Sequence, residues 1–223
     1  LKGRRLVAVE PRRPDLRRAF PPDLRQRLTG ATVTGLSRRA KYGLIDTDRG
    51  DTLVFHLGMS GRWRVDPAEL GAHDHFVLET EEGRRVSLND PRRFGSLDLM
   101  PTGEVERTTP FDTMGPEPLG DGFSADYLLE ALRGRSAPIK AMLLDQRIVA
   151  GLGNIYVCEA LHMAAIAPSR AGGRISRPRL ERLVEAIKAV LLAAIEAGGS
   201  SLRDYARPSG ELGYFSKQWR VYG

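Results

Sequence analysis

"MPTGEVERTTPFDTMGPEPLGDGF", residues 100–123, separates two kinds of sequence. Proline and glycine are dense in it and no hydrophobic period runs through it, so it reads as a linker. Before it, short β-rich runs alternate with turn residues. After it, apolar residues recur at the spacing of helices. Strands first and helices after predict an α+β fold built from two segregated parts. The expected organisation is a β domain over 1–100, the linker over 101–123 and a helical domain over 124–223.

In the first part, "ATVTGLSRRAKYGLIDTDRGDTLVFHLGMSGRWRV" (31–65) holds strands divided by turns. "DTDRGD" between "KYGLI" and "TLVFHL" is a hairpin signal, and "HFVLETEEGRRVSLND" repeats the pattern with Glu82-Gly83 in the turn. These connections are too short for parallel crossovers, so the sheets are expected to be antiparallel. In the second part, "SADYLLEALRG" predicts a short helix capped by Ser124. "PIKAMLLDQRIVAGLGNIYVCEALHMAAI" predicts two helices around a tight connection. In "SRPRLERLVEAIKAVLLAAIEAGG", residues Leu180, Leu183, Val184, Ile187, Val190, Leu191, Ala194 and Ile195 form one apolar stripe. Ser176 is placed to cap this helix and Gly198-Gly199 to end it.

The bulk numbers exclude several classes. With 41% hydrophobic and 28% charged residues, the 223-residue chain is globular rather than disordered. No apolar run approaches the roughly 18 residues of a membrane span, and no signal-peptide pattern opens the sequence. One cysteine, Cys158, leaves no intrachain disulfide and no multi-cysteine zinc site, and the expected compartment is the cytoplasm. The net charge of +6 suits a polyanionic partner. Nearly all cations are arginine: of 34, five are lysine. Lys41, in "SRRAKYG", therefore stands out, because an ammonium can be tuned to release and regain a proton and a guanidinium cannot. The alternative is one more solvated charge.

Other stretches carry candidate chemistry. "HLGMSG" and "DPRRFG" are loops after strands, and they combine glycine with Met59 in one and Arg92, Arg93 and Phe94 in the other. A protein that pulls a base from duplex DNA needs side chains to fill the gap and a donor for the widowed base. Met, Phe and Arg suit those roles; a core position for Met59 and Phe94 is the alternative. "AGLGNIY" sets Gly151, Gly153 and Asn154 before a helix, which suits either phosphate binding or a helix–helix turn with positive φ. "HDHF" places His73 and His75 two apart, suited to phosphate contact or plain surface. His162 reads as structural.

Together and in this order, "RRAKY", "HLGMSG", "HDH", "DPRRFG", "MGPEPLG", "GLGNIY" and "GYFSKQWRVYG" resemble the formamidopyrimidine-DNA glycosylases, base-excision enzymes for oxidised purines. The resemblance implies an N-terminal antiparallel β-sandwich, a helical domain with a helix-two-turn-helix motif, and a following zinc finger. It implies that Lys41 is a proton donor in strand cleavage. Met59, Arg92 and Phe94 would be the void-filling residues, and His56, His73, Arg92, Arg135 and Asn154 the DNA contacts. A loop near 207–218, with Ser209, Tyr214 and Ser216, would close over the everted base. The implied partner is damaged double-stranded DNA, bound by a monomer without a membrane.

The sequence departs from the family at both ends. The Pro-Glu-Leu-Pro-Glu start that provides the family's proline nucleophile is not in this chain, nor is the four-cysteine finger. A missing helix with about four core-facing apolar residues, at roughly 1.5–3 kcal/mol each, would remove as much free energy as a domain has to spare. The expectation is an inactive fragment that holds no metal or cofactor, with Zn2+ belonging to the full-length family. Two other readings stay open: the sister enzyme for oxidised pyrimidines, against which "DPRRFG" and "HLGM" argue, and a non-catalytic damaged-DNA-binding protein.

Overall fold

The computed structural model describes residues 1–199 and 213–222. The chain divides into two compact units, one running from Leu1 to Phe111 and the other beginning at Asp112.

The first unit is a sandwich of two antiparallel four-stranded sheets. One sheet has the order β1 (Leu6–Pro11), β6 (Asp74–Thr80), β7 (Arg85–Asn89), β5 (Arg62–Val65). The other has the order β2 (Val33–Arg39), β3 (Tyr42–Thr47), β4 (Asp51–His56), β8 (Ser96–Pro101). Leu6, Val9, Phe76, Leu78 and Leu88 of the first sheet meet Val33, Ile45, Leu53 and Leu97 of the second in one buried core. The sheets are antiparallel as the short connections require, and both hairpins expected from the sequence form. A short helix, α1 (Leu24–Leu28), buries Leu24 and Leu28 in the same core; five residues carry too little periodicity to read in advance. A cavity of about 660 Å³ opens between the sheets, lined by Leu36, Ile45, Phe55, Trp63 and Val86 among others. None of the candidate site residues lines it.

The stretch that reads as a linker is more ordered than its composition suggests. Single 3-10 segments at Thr102–Arg107 and Phe111–Thr113 bury Val105 and Phe111. The Phe111 ring packs against Tyr42 at 5.2 Å.

The second unit holds α2 (Ala125–Ala131), α3 (Ile139–Leu144), α4 (Asn154–Met163) and α5 (Arg177–Glu196). Ser124 caps α2 by accepting the Tyr127 N–H at 3.1 Å. Ser176 stands at the start of α5, but its side chain accepts no capping bond. Its carbonyl instead takes the N–H groups of Arg179 and Leu180, and Pro178 in the first turn needs no N–H partner. At the other end Gly198 and Gly199 have φ of +76° and +97°, and their N–H groups return to the carbonyls of Ile195 and Ala194. That is the Schellman closure glycine permits. The stripe of α5 is buried except that Leu191 is half-buried and Ile195, at its end, is exposed; Ala186 joins the core in addition. His162 is exposed rather than structural, because it lies on the face of α4 opposite the buried Val157, Ala160 and Leu161.

Candidate functional site

Strand register explains how the first unit gathers its candidate residues. Tyr42 of β3 is paired with His56 of β4, and His56 with Ser96 of β8. This row crosses one end of the sheet, so the chain segments next to it emerge together. They are the β2–β3 turn before Tyr42, the 57–61 loop after His56 and the 90–95 loop before Ser96. These segments carry Lys41, Met59, and Arg92 with Phe94. His73 joins them from the other sheet: it precedes β6, and its carbonyl accepts the Asp90 N–H at 2.9 Å.

Lys41 sits in a two-residue turn, since Arg39 pairs with Tyr42. The other turn residue, Ala40, has φ of +54°, a conformation that hairpins usually assign to Gly or Asn. The missing glycine is why "SRRAKYG" does not announce a hairpin. The Lys41 side chain reaches solvent, yet enough protein surrounds its ammonium that desolvation lowers its pKa. His56 is half-buried, and its pKa is also lowered, first by burial and then by the charges of Lys41, Arg17 and Arg18. Its Nδ1 accepts the Gly58 N–H at 3.0 Å, which leaves the proton of the neutral ring on Nε2. A pocket of about 400 Å³ beside it is lined by Arg17, Arg18, Tyr42, His56 and Phe94 among others.

Met59 and Phe94 are 64% and 45% exposed, so neither is a core residue. The Arg92 guanidinium lies 4.8 Å from the centroid of the Phe94 ring. Two residues that the sequence reading passed over, Asp90 and Asp74, hold this cluster together with His75, which the sequence suited to phosphate contact or plain surface and which is instead buried. Asp90, fully buried, accepts from Ser60 Oγ at 2.6 Å and from Gly95 N–H at 2.8 Å. Asp74, beside His73, accepts from the Gly71 N–H, Ser87 Oγ and Asn89 Nδ2 and pairs with Arg64 at 2.6 Å. His75, the extra residue of a β-bulge, is buried with Nε2 3.0 Å from the Asp90 carbonyl. The signal was present as Asp next to Pro and Asp between two His, but only burial gives it meaning.

In the second unit, Asn154 is exposed at the start of α4. Its Nδ2 donates to the Tyr222 hydroxyl at 3.2 Å. Gly151 takes φ of +80° and its N–H donates to Gln146 Oε1 at 2.8 Å, so the turn between α3 and α4 is folded around Gln146. Glu159, a residue the sequence reading missed, is buried and accepts the N–H groups of Arg220, Val221 and Tyr222 at 2.9–3.0 Å. Arg135 is exposed between α2 and α3. Tyr214 is exposed with Lys217 Nζ 5.2 Å from its ring centroid, and Ser216 lies half-buried in a 3-10 turn that Phe215 anchors in the helical core. Ser209 lies outside the described residues. For zinc the donors do not fit: the chain has one cysteine, Cys158, and among the described residues no three His, Cys, Asp or Glu gather.

A basic two-unit α+β protein with exposed Met59 and arginine-stacked Phe94 on one unit and an exposed Asn154 at a helix start on the other has the chemistry that suits a nucleic-acid partner. Comparison with known proteins narrows this. Residues 1–97 match the formamidopyrimidine-DNA glycosylase N-terminal domain, and residues 114–206 match the formamidopyrimidine-DNA glycosylase H2TH domain. Formamidopyrimidine-DNA glycosylases of Rhizorhabdus wittichii and Novosphingobium aromaticivorans are 72% and 64% identical over the whole chain, which spans 83% of each. The MutM (FPG) protein of Thermus thermophilus has a TM-score of 0.88 at 36% identity, covering all of this chain and 81% of that one. The Lactococcus lactis Fpg in complex with abasic-site DNA has a TM-score of 0.89 at 32% identity, covering 98% of this chain and 81% of that one. The chain belongs to the formamidopyrimidine-DNA glycosylase family.

Proposed function

We propose that this protein is a base-excision repair DNA glycosylase with AP-lyase activity that removes oxidised purines, 8-oxoguanine and formamidopyrimidines, from duplex DNA. The Lactococcus lactis Fpg has been solved with Fapy-dG DNA, and the same substrate class is assigned to this family member. The observation that carries the residue-level reading is the loop cluster at one end of the β2–β3–β4–β8 sheet. Exposed Met59 and Phe94 stand there on adjoining loops, with an arginine stacked on the phenyl ring and Lys41 and His56 beside them.

In this reading Met59 and Phe94 enter the gap left by an everted nucleotide, and Arg92 donates to the widowed base. Lys41, His56 and Asn154 grip the phosphates flanking the lesion, and His73 and Arg135 contact the backbone beyond. His56 works as a neutral donor through Nε2–H, since its Nδ1 is already engaged. Lys41, whose ammonium is partly desolvated, gives up a proton more readily than a solvated lysine and donates it as the strand breaks. Ser209, Tyr214 and Ser216 belong to the loop that closes over the lesion. The compartment that fits is the bacterial cytoplasm, with the protein on the nucleoid when DNA-bound.

The test is binding and excision. The protein should bind an abasic-site duplex more tightly than an undamaged one, with a salt-dependent affinity. In the full-length protein, Lys41→Arg should keep that binding while excision or strand cleavage collapses. Full excision by Lys41→Arg would reduce Lys41 to a phosphate cation.

A further inference from the structure

We propose that Ser60 is a positioning residue: it latches the 57–61 loop to the 90–95 loop, so that Met59 and Phe94 enter a base stack as one rigid unit. This rests on the void-filling reading of Met59 and Phe94. Ser60 is buried at 3% exposure, directly after the most exposed side chain of its loop. Its hydroxyl is the middle of a relay. Oγ donates to Asp90 Oδ1 at 2.6 Å and accepts the Arg92 backbone N–H at 3.1 Å. A hydroxyl has one proton and two lone pairs, so both bonds form at once. The second Asp90 oxygen accepts the Gly95 N–H. The carboxylate thus fixes the end of the 90–95 loop directly and its beginning through Ser60.

The two loops also touch backbone to backbone. A Cβ at Gly58 would lie 2.5 Å from the Phe94 carbonyl carbon, and one at Gly95 would lie 2.8 Å from the His56 carbonyl oxygen. Met59 and Phe94, by contrast, project into solvent and get little rigidity from packing around their own tips. Side chains that must part stacked bases bind better when their geometry is set beforehand, because less ordering remains to be done on binding. Ser60 is the member of the relay that the 57–61 loop supplies, and it holds the other loop at both Asp90 and Arg92.

The test is a double-mutant cycle. Met59→Ala, Phe94→Ala and the pair are made with Ser60 intact and again with Ser60→Ala, and affinities are measured for abasic-site and undamaged duplexes. With Ser60 intact the double variant should lose little more abasic affinity than the worse single, since either loss disables the unit. With Ser60→Ala the two losses should multiply. Ser60→Ala alone should weaken abasic binding about three- to tenfold, the range of one or two hydrogen bonds, with little change for undamaged duplex. Ser60→Cys, similar in volume but a poor donor, should behave the same and carries the test if the alanine variant folds badly. If the losses combine identically with and without Ser60, the latch is overturned and the wedge stands. If Met59→Ala and Phe94→Ala each leave abasic affinity unchanged, the void-filling reading fails and takes the latch with it.

Discussion

Each unit has a buried carboxylate that ties down chain next to candidate residues, Asp90 in the first and Glu159 in the second, and the two recruit their partners differently. Asp90 binds Ser60 and Gly95, so much of its network is a tight turn inside "DPRRFG". Glu159 receives three N–H groups from residues 61 to 63 positions further on. Through Tyr222 it reaches Asn154, whose amide donates to the Tyr222 hydroxyl. The first arrangement stiffens a loop that displays apolar side chains. The second ties down a distant segment so that a polar side chain at a helix start is held. The difference teaches that the same device, a desolvated carboxylate satisfied by N–H and O–H donors, can serve local shape in one place and long-range closure in another.

The largest effect should come from chemistry, not from either anchor. In the full-length protein Lys41→Arg should lower strand cleavage by about 10²- to 10⁴-fold, the range of a lost general acid, with an unchanged melting temperature. Gel assays on lesion-containing duplex read the first and calorimetry the second. Glu159→Ala should be the most destabilising change at an anchor. It strands three part-buried N–H groups, those of exposed Arg220 and Val221 and of Tyr222, which water can partly reach, so a loss of about 1–3 kcal/mol is expected in denaturant unfolding. A loss under about 1 kcal/mol would mean water replaces the carboxylate, and the contrast with Asp90 would collapse.

Phe94→Ala should separate display from packing. An exposed ring contributes little to folding, so stability should move by about 0.5 kcal/mol or less while abasic-site affinity falls. A larger stability loss would place Phe94 in the core.

Glu159 also gives a pH dependence with a definite sign. Burial by itself raises its pKa, but the N–H donors of Val221, Arg220 and Tyr222 outweigh it and leave the value below the usual 4.5. A carboxylate lowered in the fold contributes stability that is fully present above the unfolded value and lost as pH falls through the folded one. The 220–222 segment should therefore stay anchored through pH 4.5 and release at lower pH, seen as accelerated amide exchange there. Release above that value would reverse the assignment.

The smallest effect distinguishes two kinds of phosphate contact within the first unit. Lys41→Ala should flatten the plot of log K against log salt by about 0.9, one released counterion. His56→Ala at pH 7.5 should weaken binding with no change in slope, because a neutral ring donates without adding charge. A slope change for His56→Ala would show that DNA protonates the ring.

Much of the fold was legible because its signals are local. Glu82-Gly83 made a hairpin, the α5 stripe made a helix, and Gly198-Gly199 ended it. What failed was equally specific. Ala40 occupies a positive-φ turn position without being glycine, so the hairpin that carries Lys41 left no turn signature. Ser176 does stand at the N-cap of α5, but its side chain makes no capping bond and only its carbonyl takes helix N–H groups. Ile195 fits the stripe by period and is exposed, although its neighbour Ala194 is buried in the core.

The residue types by themselves marked out candidate chemistry, each with a plain alternative, and the resemblance of the motifs in their order gave the roles: a lysine among arginines, a methionine and an arginine–phenylalanine pair on glycine-bearing loops, an asparagine before a helix. Those motifs depend on side-chain chemistry and short spacing, which the chain records directly. Only the tertiary structure decided that Tyr42, His56 and Ser96 form one row, which brings three loops to one sheet end. It alone singled out Ser60, Asp90 and Glu159 as the residues that hold the others. Strand register and burial are set by contacts between residues far apart in sequence, and a buried Asp or Glu is spelled like an exposed one until the fold removes it from water.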